Sequence, residues 1–203
     1  TLLSMKYYIM RSGEESSLSP FYKAWGRAGD SLIYENTCFV PFGSVYFSTI
    51  SEEEMRALRP GERDLVALAA AVVPEAWPVE GLNELPKVSR ETLEEIDKRT
   101  LHGPREERER LYFDLAKALG THAVEWTNWN SNRFEGNIEL DRPGLLFVSI
   151  PDNRGWTAEV NEKKVEVIPV HFGFKGVLLN EGKNDVVFKY FPPMMRAGIA
   201  ISL

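Results

Sequence analysis

The sequence has 203 residues, room for one large domain or two small ones, and its 43% hydrophobic and 27% charged residues are an ordinary globular balance. A net charge of -6, with basic residues interspersed among acidic ones, argues against nucleic acid as a partner, because neutralising phosphates needs a basic face. The single cysteine, Cys38, excludes an intrachain disulfide, and its place between Thr37 and Phe39 reads as a small buried apolar residue.

Residues 4–11 are expected as a strand, with Met5, Tyr7 and Ile9 on one face and Lys6, Tyr8 and Met10 on the other. Thr1 has no basic n-region after it, so no signal peptide is expected, and a start on Thr reads as a piece of a longer protein. Residues 13–20 read as a polar loop. Residues 21–30 hold Phe21, Tyr22 and Trp25, followed by Gly26 and Gly29. Leu32, Ile33 and Tyr34 read as a strand partner for the first. Pro41 makes residues 36–42 irregular, since proline fits poorly in a central strand. Residues 43–50 read as one further strand, with Val45, Phe47 and Thr49 on one face.

The period changes at Ser51. Ser51 with Glu54 forms a capping box, opening a short helix that ends before Pro60. A second helix is expected over 62–73, with Leu65, Leu68, Ala69 and Val72 on one face, stopping at Pro74. The apolar run within it, residues 65–73, is well short of the ~20 residues a membrane helix needs. Residues 77–86 read as a loop. Ser89 with Glu91 caps a third helix over 90–99. Pro104, at a first helical position, opens a fourth that Gly120 ends, with Leu111, Leu115 and Ala118 facing inward.

From Thr121 the period returns to two. Residues 123–129 are expected as a strand. Residues 133–140 alternate, with Phe134, Ile138 and Leu140 on one side and Arg133, Glu135, Asn137 and Glu139 on the other. Residues 145–150 form a strand that stops at Pro151, where Pro151, Asp152, Asn153 and Gly155 supply turn chemistry. Further strands are expected over 157–160, 164–170, 174–179 and 185–191, with a register shift near Ile168 and Pro169. About seven strands joined by short turns argue for an antiparallel β-sandwich. The fold class is therefore α+β: a C-terminal antiparallel β-sandwich, an N-terminal mixed region and a helical insertion. The expected division is 1–120, with strands within 1–50 and helices within 51–119, and 121–203. The alternative is one compact domain, with the early strands joining the same sheet. Residues 197–203 are apolar and read either as the start of a membrane helix or as a last strand or tail.

The candidate ligand-binding residues are Trp126, Trp129, Asn130, Arg133, Asp152 and Trp156. Sugar rings present flat C–H faces that stack on aromatics, while Asn, Asp and Arg bond to hydroxyls. Trp126 and Trp129 differ by an odd number, so a regular strand turns them to opposite faces and buries one. Trp156 opens a strand after a turn, a place where an indole packs over the end of a sandwich. Core packing is thus the competing account for all three. His102, His122 and His171 lack metal-ligand spacing, so no metal and no cofactor is expected. Asp152 and Glu35 are carboxylates of the kind glycosyl chemistry uses, but acidic residues in turns are common and no catalytic residue is assigned.

Two blocks carry a resemblance. One comprises Ser149, Ile150, Pro151, Gly155, Trp156, Gly173, Phe174, Gly176, Leu179, Gly182, Lys183, Asn184, Tyr190, Pro192 and Pro193. The other comprises Met5, Lys6, Tyr7, Tyr8 and Ile9, then Ile33, Tyr34, Glu35 and Asn36, then Val40, Pro41, Phe42 and Gly43. Together they resemble the last extracytoplasmic segment of the YfhO family, bacterial polytopic membrane proteins to which glycosyltransferase activity is ascribed. Met5 departs from the usual Gly-Val, and Asn161-Glu162 from the usual Asp-Gly hairpin. The resemblance implies a domain on the extracytoplasmic face of the cell membrane, held by flanking helices. It implies transfer of a sugar from a polyprenyl-phosphate carrier onto an envelope glycopolymer such as lipoteichoic acid, with this domain positioning acceptor or polymer. A free carbohydrate-binding module and a purely structural domain are the alternatives.

Overall fold

A computed structural model describes residues 2–11, 13, 20–75 and 79–193. Its centre is β9 (Gly144–Pro151), whose run Leu145, Leu146, Phe147 and Val148 is buried throughout. Continuous apolarity, rather than alternation, is what a strand covered on both faces requires. Leu145 and Phe147 enter one core cluster, beside helices, and Leu146, Val148 and Ile150 enter another, between sheets.

Strand β9 pairs with β13 (Phe174–Leu179) on one side and β4 (Ser44–Tyr46) on the other. With β12 (Ile168–Val170) the sheet order is β12-β13-β9-β4, all antiparallel. Facing it are β7 (Glu125–Asn130), β8 (Arg133–Leu140), β10 (Trp156–Val160), β11 (Lys163–Val165) and β14 (Gly182–Tyr190). These form an antiparallel sheet of order β11-β10-β14-β8-β7. Its strands alternate, sending Phe134, Leu140, Ala158, Val160, Val186 and Phe188 into the cluster that holds Leu146 and Val148. The β10–β11 turn places Asn161 and Glu162 at φ 50 and 64, the paired positive values of a tight hairpin turn.

Four helices form a layer on the other side of β9. These are α1 (Glu52–Ala57), α2 (Pro60–Ala69), α3 (Arg90–Leu101) and α4 (Arg105–Gly120). The second and fourth reach the cluster of Leu145 and Phe147, and the first and third pack behind in a cluster with Ile50 and Val72. The Ser51–Glu54 capping box is present: Ser51 N–H donates to Glu54 Oε2 at 3.0 Å and Glu54 N–H to Ser51 Oγ at 3.2 Å. Tyr46 Oη donates to Ala67 O at 2.8 Å and Ser48 Oγ to Ala69 O at 2.9 Å, so side chains from the sheet region satisfy carbonyls at the end of α2. Burial raises the Tyr46 phenol well above its ordinary value.

The fold is α+β, mostly strands in several antiparallel sheets with a few helices. Several details differ from the sequence reading. Residues 43–50 are two strands: β4 joins the β9 sheet, and β5 (Thr49–Ser51) pairs in parallel with β6 (Ala71–Val73). The second helix therefore ends at Ala69; its last expected turn is the buried strand β6, an apolar stretch that periodicity cannot tell from helix. The 164–170 run divides between the two large sheets as β11 and β12. On α4 the inward residues are Leu111, Leu115, Ala116 and Leu119, while Ala118 is exposed.

A further sheet, of order β1-β3-β2, joins β1 (Tyr7–Arg11), β2 (Tyr22–Ala28) and β3 (Ser31–Asn36). Strand β2 carries an irregularity between Ala24 and Gly26. This sheet is tied to the body by Phe21, stacked on Tyr112 with centroids 4.8 Å apart, and by the Ser4–Ser149 hydroxyl contact at 3.3 Å. The expected tail element over 197–203 and most of the 13–20 loop lie outside the described residues.

His171, in the turn after β12, packs its ring 5.2 Å from Tyr46 and 5.0 Å from Phe147. Burial pushes its imidazole down from 6.5 to about 3. The folded chain keeps it neutral, whereas the unfolded chain takes up a proton below about 6.5. Stability is therefore expected to fall as pH drops from about 6.5 toward about 3, by up to ~1.4 kcal/mol per pH unit. Urea denaturation between about pH 6 and 5, above the ordinary carboxylate range, reads this slope. His171→Asn, which tolerates the φ of 47 at that position, flattens it; an unchanged slope in the variant contradicts the assignment.

Candidate functional site

The three C-terminal tryptophans converge on Phe134, which is itself buried. The convergence depends on a β-bulge. Trp126 pairs with Gly136 and Trp129 with Phe134, and the register shifts between Trp126 and Asn128. Thr127 is the extra residue, so Trp126 and Trp129 face the same side despite their odd spacing. This corrects the expectation that one of them turns away. Their rings meet edge to face, 6.1 Å apart.

Trp126 is held by a slot with no room for side chains. A Cβ on Gly43 would lie 2.6 Å from its Cζ2, and one on Gly136 would lie 3.0 Å from its Cε3. Its indole N–H donates to Phe42 O at 2.8 Å. Trp156 stacks on Phe134 at 5.3 Å and 20°, and lies 5.0 Å from Tyr190. Trp126 and Trp156 are half-buried. Trp129 differs: it rests on Phe134 at 4.4 Å and Phe42 at 4.6 Å, yet 54% of it is exposed. The result is an indole fixed from behind by two rings and open in front.

The polar candidates do not share that face. Asn130 pairs with Arg133 next to the Trp129–Phe134 pair, and alternation sends both to the outer side of the sheet. Asn130 Oδ1 accepts from Asn132 N–H at 3.1 Å, shaping the β7–β8 turn. Arg133 makes a close ion pair with Glu135, whose carboxyl the guanidinium holds below its usual range. Lys189 and Glu159 pair at 2.7 Å on the same outer face. Asp152 lies apart on the loop after β9, where it accepts from Lys175 Nζ at 2.5 Å. The Lys175 side chain is only 6% exposed, so Asp152 serves as counter-ion to a buried ammonium. Glu35 lies in the separate three-stranded sheet, 3.9 Å from Lys6 Nζ.

The residues that sequence reasoning missed are Phe42, Phe134, Tyr190, Gly43 and Gly136. One signal was available: Gly136 interrupts the inward series Phe134, Ile138, Leu140, and a glycine inside a strand marks close approach of other atoms. The Asn184 of the sequence motif is also architectural. It is buried and donates from Nδ2 to Asn180 O at 2.8 Å and Gly182 O at 2.9 Å, closing the β13–β14 turn. A separate cleft lies among Phe47, Leu85, Arg142 and Leu178, with the Arg142 guanidinium 4.3 Å from the Phe47 ring centre. None of the candidate residues lines it.

The family model described as "Bacterial membrane protein YfhO" matches residues 106–202. That region contains the later motif block and all three tryptophans of the cluster; the early block over 6–43 lies outside it. The "Uncharacterized protein YfhO" of Bacillus subtilis (strain 168) is 28% identical over 83 residues, which cover 41% of this chain and 10% of that protein. The matched stretch thus spans a tenth of that relative's length. Among solved structures, AmyP in complex with maltose is 13% identical, covering 63% of this chain and 34% of its own, with a TM-score of 0.15. Similarity that low supports no inference about fold or ligand. Among the described residues no helix is long and apolar enough to cross a membrane.

Gly136→Ala tests the slot. The added methyl meets Val124 Cγ1 at 2.5 Å and Glu125 O at 2.7 Å, so β7 must shift. Overpacking of this kind costs roughly 1–3 kcal/mol, read by urea denaturation, and alters the near-UV circular dichroism of the tryptophans. A variant with wild-type stability and spectrum contradicts the packing described.

Proposed function

Because the chain belongs, through residues 106–202, to the YfhO family of bacterial membrane proteins, we propose that it is an extracytoplasmic domain that holds a cell-envelope glycopolymer. In this reading the whole protein transfers a sugar from a polyprenyl-phosphate carrier onto a polymer such as lipoteichoic acid. The chain itself positions acceptor or polymer and performs no bond chemistry. The facing four- and five-stranded sheets serve as the β-sandwich that carries the contact surface.

The observation that carries the reading is Trp129. An exposed indole held rigid by Phe42 and Phe134 offers a flat apolar platform without the entropy cost of ordering a loose side chain. Asn128 and Asn130 turn to the opposite face of β7, so the platform itself is aromatic, and the exposed Asn132 in the turn after it supplies an amide for hydroxyls. Trp126 and Trp156 support the platform from the core side; on their own they favour the structural account. Asp152 is engaged by Lys175, which leaves it a packing role.

Trp129→Ala is expected to weaken binding of immobilised, lipid-free lipoteichoic acid polymer by at least about tenfold, while the variant stays folded and loses only ~1–2 kcal/mol of stability from the ring contacts with Phe42 and Phe134. Loss of one stacked contact of ~1.4 kcal/mol corresponds to that factor. Trp156→Ala is expected to act through stability, lowering it by ~1–3 kcal/mol. If wild type does not bind the polymer, or Trp129→Ala binds it equally well, the platform reading fails and the structural account stands.

A further inference from the structure

The sheet of order β1-β3-β2 carries exposed apolar groups that the glycan platform does not use. Ile9 is 65% exposed and Trp25 60%, with Tyr7 exposed beside them. Register places Tyr7 and Ile9 on one face, opposite Glu35 and Ile33. Trp25 occupies the irregularity in β2, and its ring sits 5.2 Å from that of Tyr7, on the same face. Leu3 and Met5, just before β1, are exposed as well. Single exposed apolar residues are ordinary, but a contiguous group on one thin sheet marks a contact surface.

The chemistry of the group selects the partner. Trp and Tyr rings bordered by Lys and Arg are the pattern that sits at a membrane–water interface, rings at headgroup depth and cations toward phosphates. Arg11 and Lys23 share the face with Tyr7, Ile9 and Trp25 and flank them. The one acid among the paired residues, Glu35, is 3.9 Å from Lys6 Nζ, and that ammonium also lies 5.4 Å from the Tyr7 ring centre. Asp30 is confined to the β2–β3 turn, and Glu14 and Glu15 fall in the β1–β2 connection, outside the described residues. Among the described residues the face is therefore basic at its rim within a chain of net charge -6, a local complement to anionic headgroups.

We propose that this sheet lies against the surface of an anionic phospholipid bilayer, with Trp25, Ile9 and Tyr7 entering the headgroup region and Arg11 and Lys23 meeting lipid phosphates. The proposal rests on the membrane-protein reading above, but on a different sheet from the glycan platform. The early segment then fixes how the domain stands over the membrane, and hence where Trp129 meets polymer.

The test is co-flotation of the 203-residue chain with vesicles of phosphatidylglycerol mixed equally with phosphatidylcholine, and with vesicles of phosphatidylcholine alone. Wild type is expected to bind both, more tightly with phosphatidylglycerol. Ile9→Ser with Trp25→Ser is expected to weaken both by at least about tenfold, because interfacial affinity follows inserted apolar area. Arg11→Glu with Lys23→Glu is expected to bring binding to the mixed vesicles down to the phosphatidylcholine level. All four positions are exposed, and far-ultraviolet circular dichroism confirms that the variants fold. Trp129→Ala, run alongside, is expected to keep vesicle binding, while the Ser variant keeps binding of the lipid-free polymer, so either reading can fail alone. No binding to either vesicle, or binding that ignores Ile9 and Trp25, overturns the proposal. A dimer of wild type that the Ser variant abolishes also overturns it, and assigns the face to a second copy of this chain.

Discussion

Strand β9 has no solvent face over its first five residues. Leu145 and Phe147 are packed by the helical side and Leu146 and Val148 by the facing sheet, so neither layer can be built without it. A strand so placed must be apolar at consecutive positions and must have both backbone edges paired; β13 and β4 meet the second demand. The consequence runs through the whole chain. Because β4 comes from the first fifty residues and β13 from the last thirty, the core draws together segments far apart in sequence. The helices then close the remaining face, with Tyr46 and Ser48 reaching across to the end of α2.

The aromatic cluster is a product of the same packing at one edge of the facing sheet. A single inserted residue, Thr127, brings Trp126 and Trp129 to one side, and the glycines at 43 and 136 leave space for the first of them. Trp126 and Trp156 spend their surface on Phe134 and on each other's neighbours. Trp129, at the outer end, completes the stack with one side left open. Trp126 and Trp156 are thus packing residues, and the proposed contact falls to Trp129 alone. The polar partners expected beside them belong to other surfaces: Arg133 to an ion-pair ladder on the outer face, Asp152 to a buried lysine.

Local chemistry was readable wherever it was self-contained. The capping box at Ser51, the alternation of β8, the apolar run of β9 and the strand pairing of residues 32–34 with the first strand all depend on near neighbours in sequence. What sequence could not show were features decided by distant partners. Ala71, Val72 and Val73 continue a helical pattern, and only β5 makes them a strand. The break between Tyr46 and Thr49 follows from two different sheets claiming the two halves. Strand β2 was hidden by its bulge at Trp25 and by Gly26, and the bulge in β7 reversed the parity argument for Trp129. In both strands one inserted residue breaks the period of two on which such readings rest.

The account's central claim is that Trp129 and the turn after it form a polymer-contact surface fixed from behind by the core. Hydrogen exchange measured with and without lipid-free lipoteichoic acid polymer tests it most directly. The account predicts slowed exchange over residues 125–134, with the amides of β9 already protected and unchanged. Slowing confined to another surface, or no slowing under conditions where the polymer is bound, would contradict it.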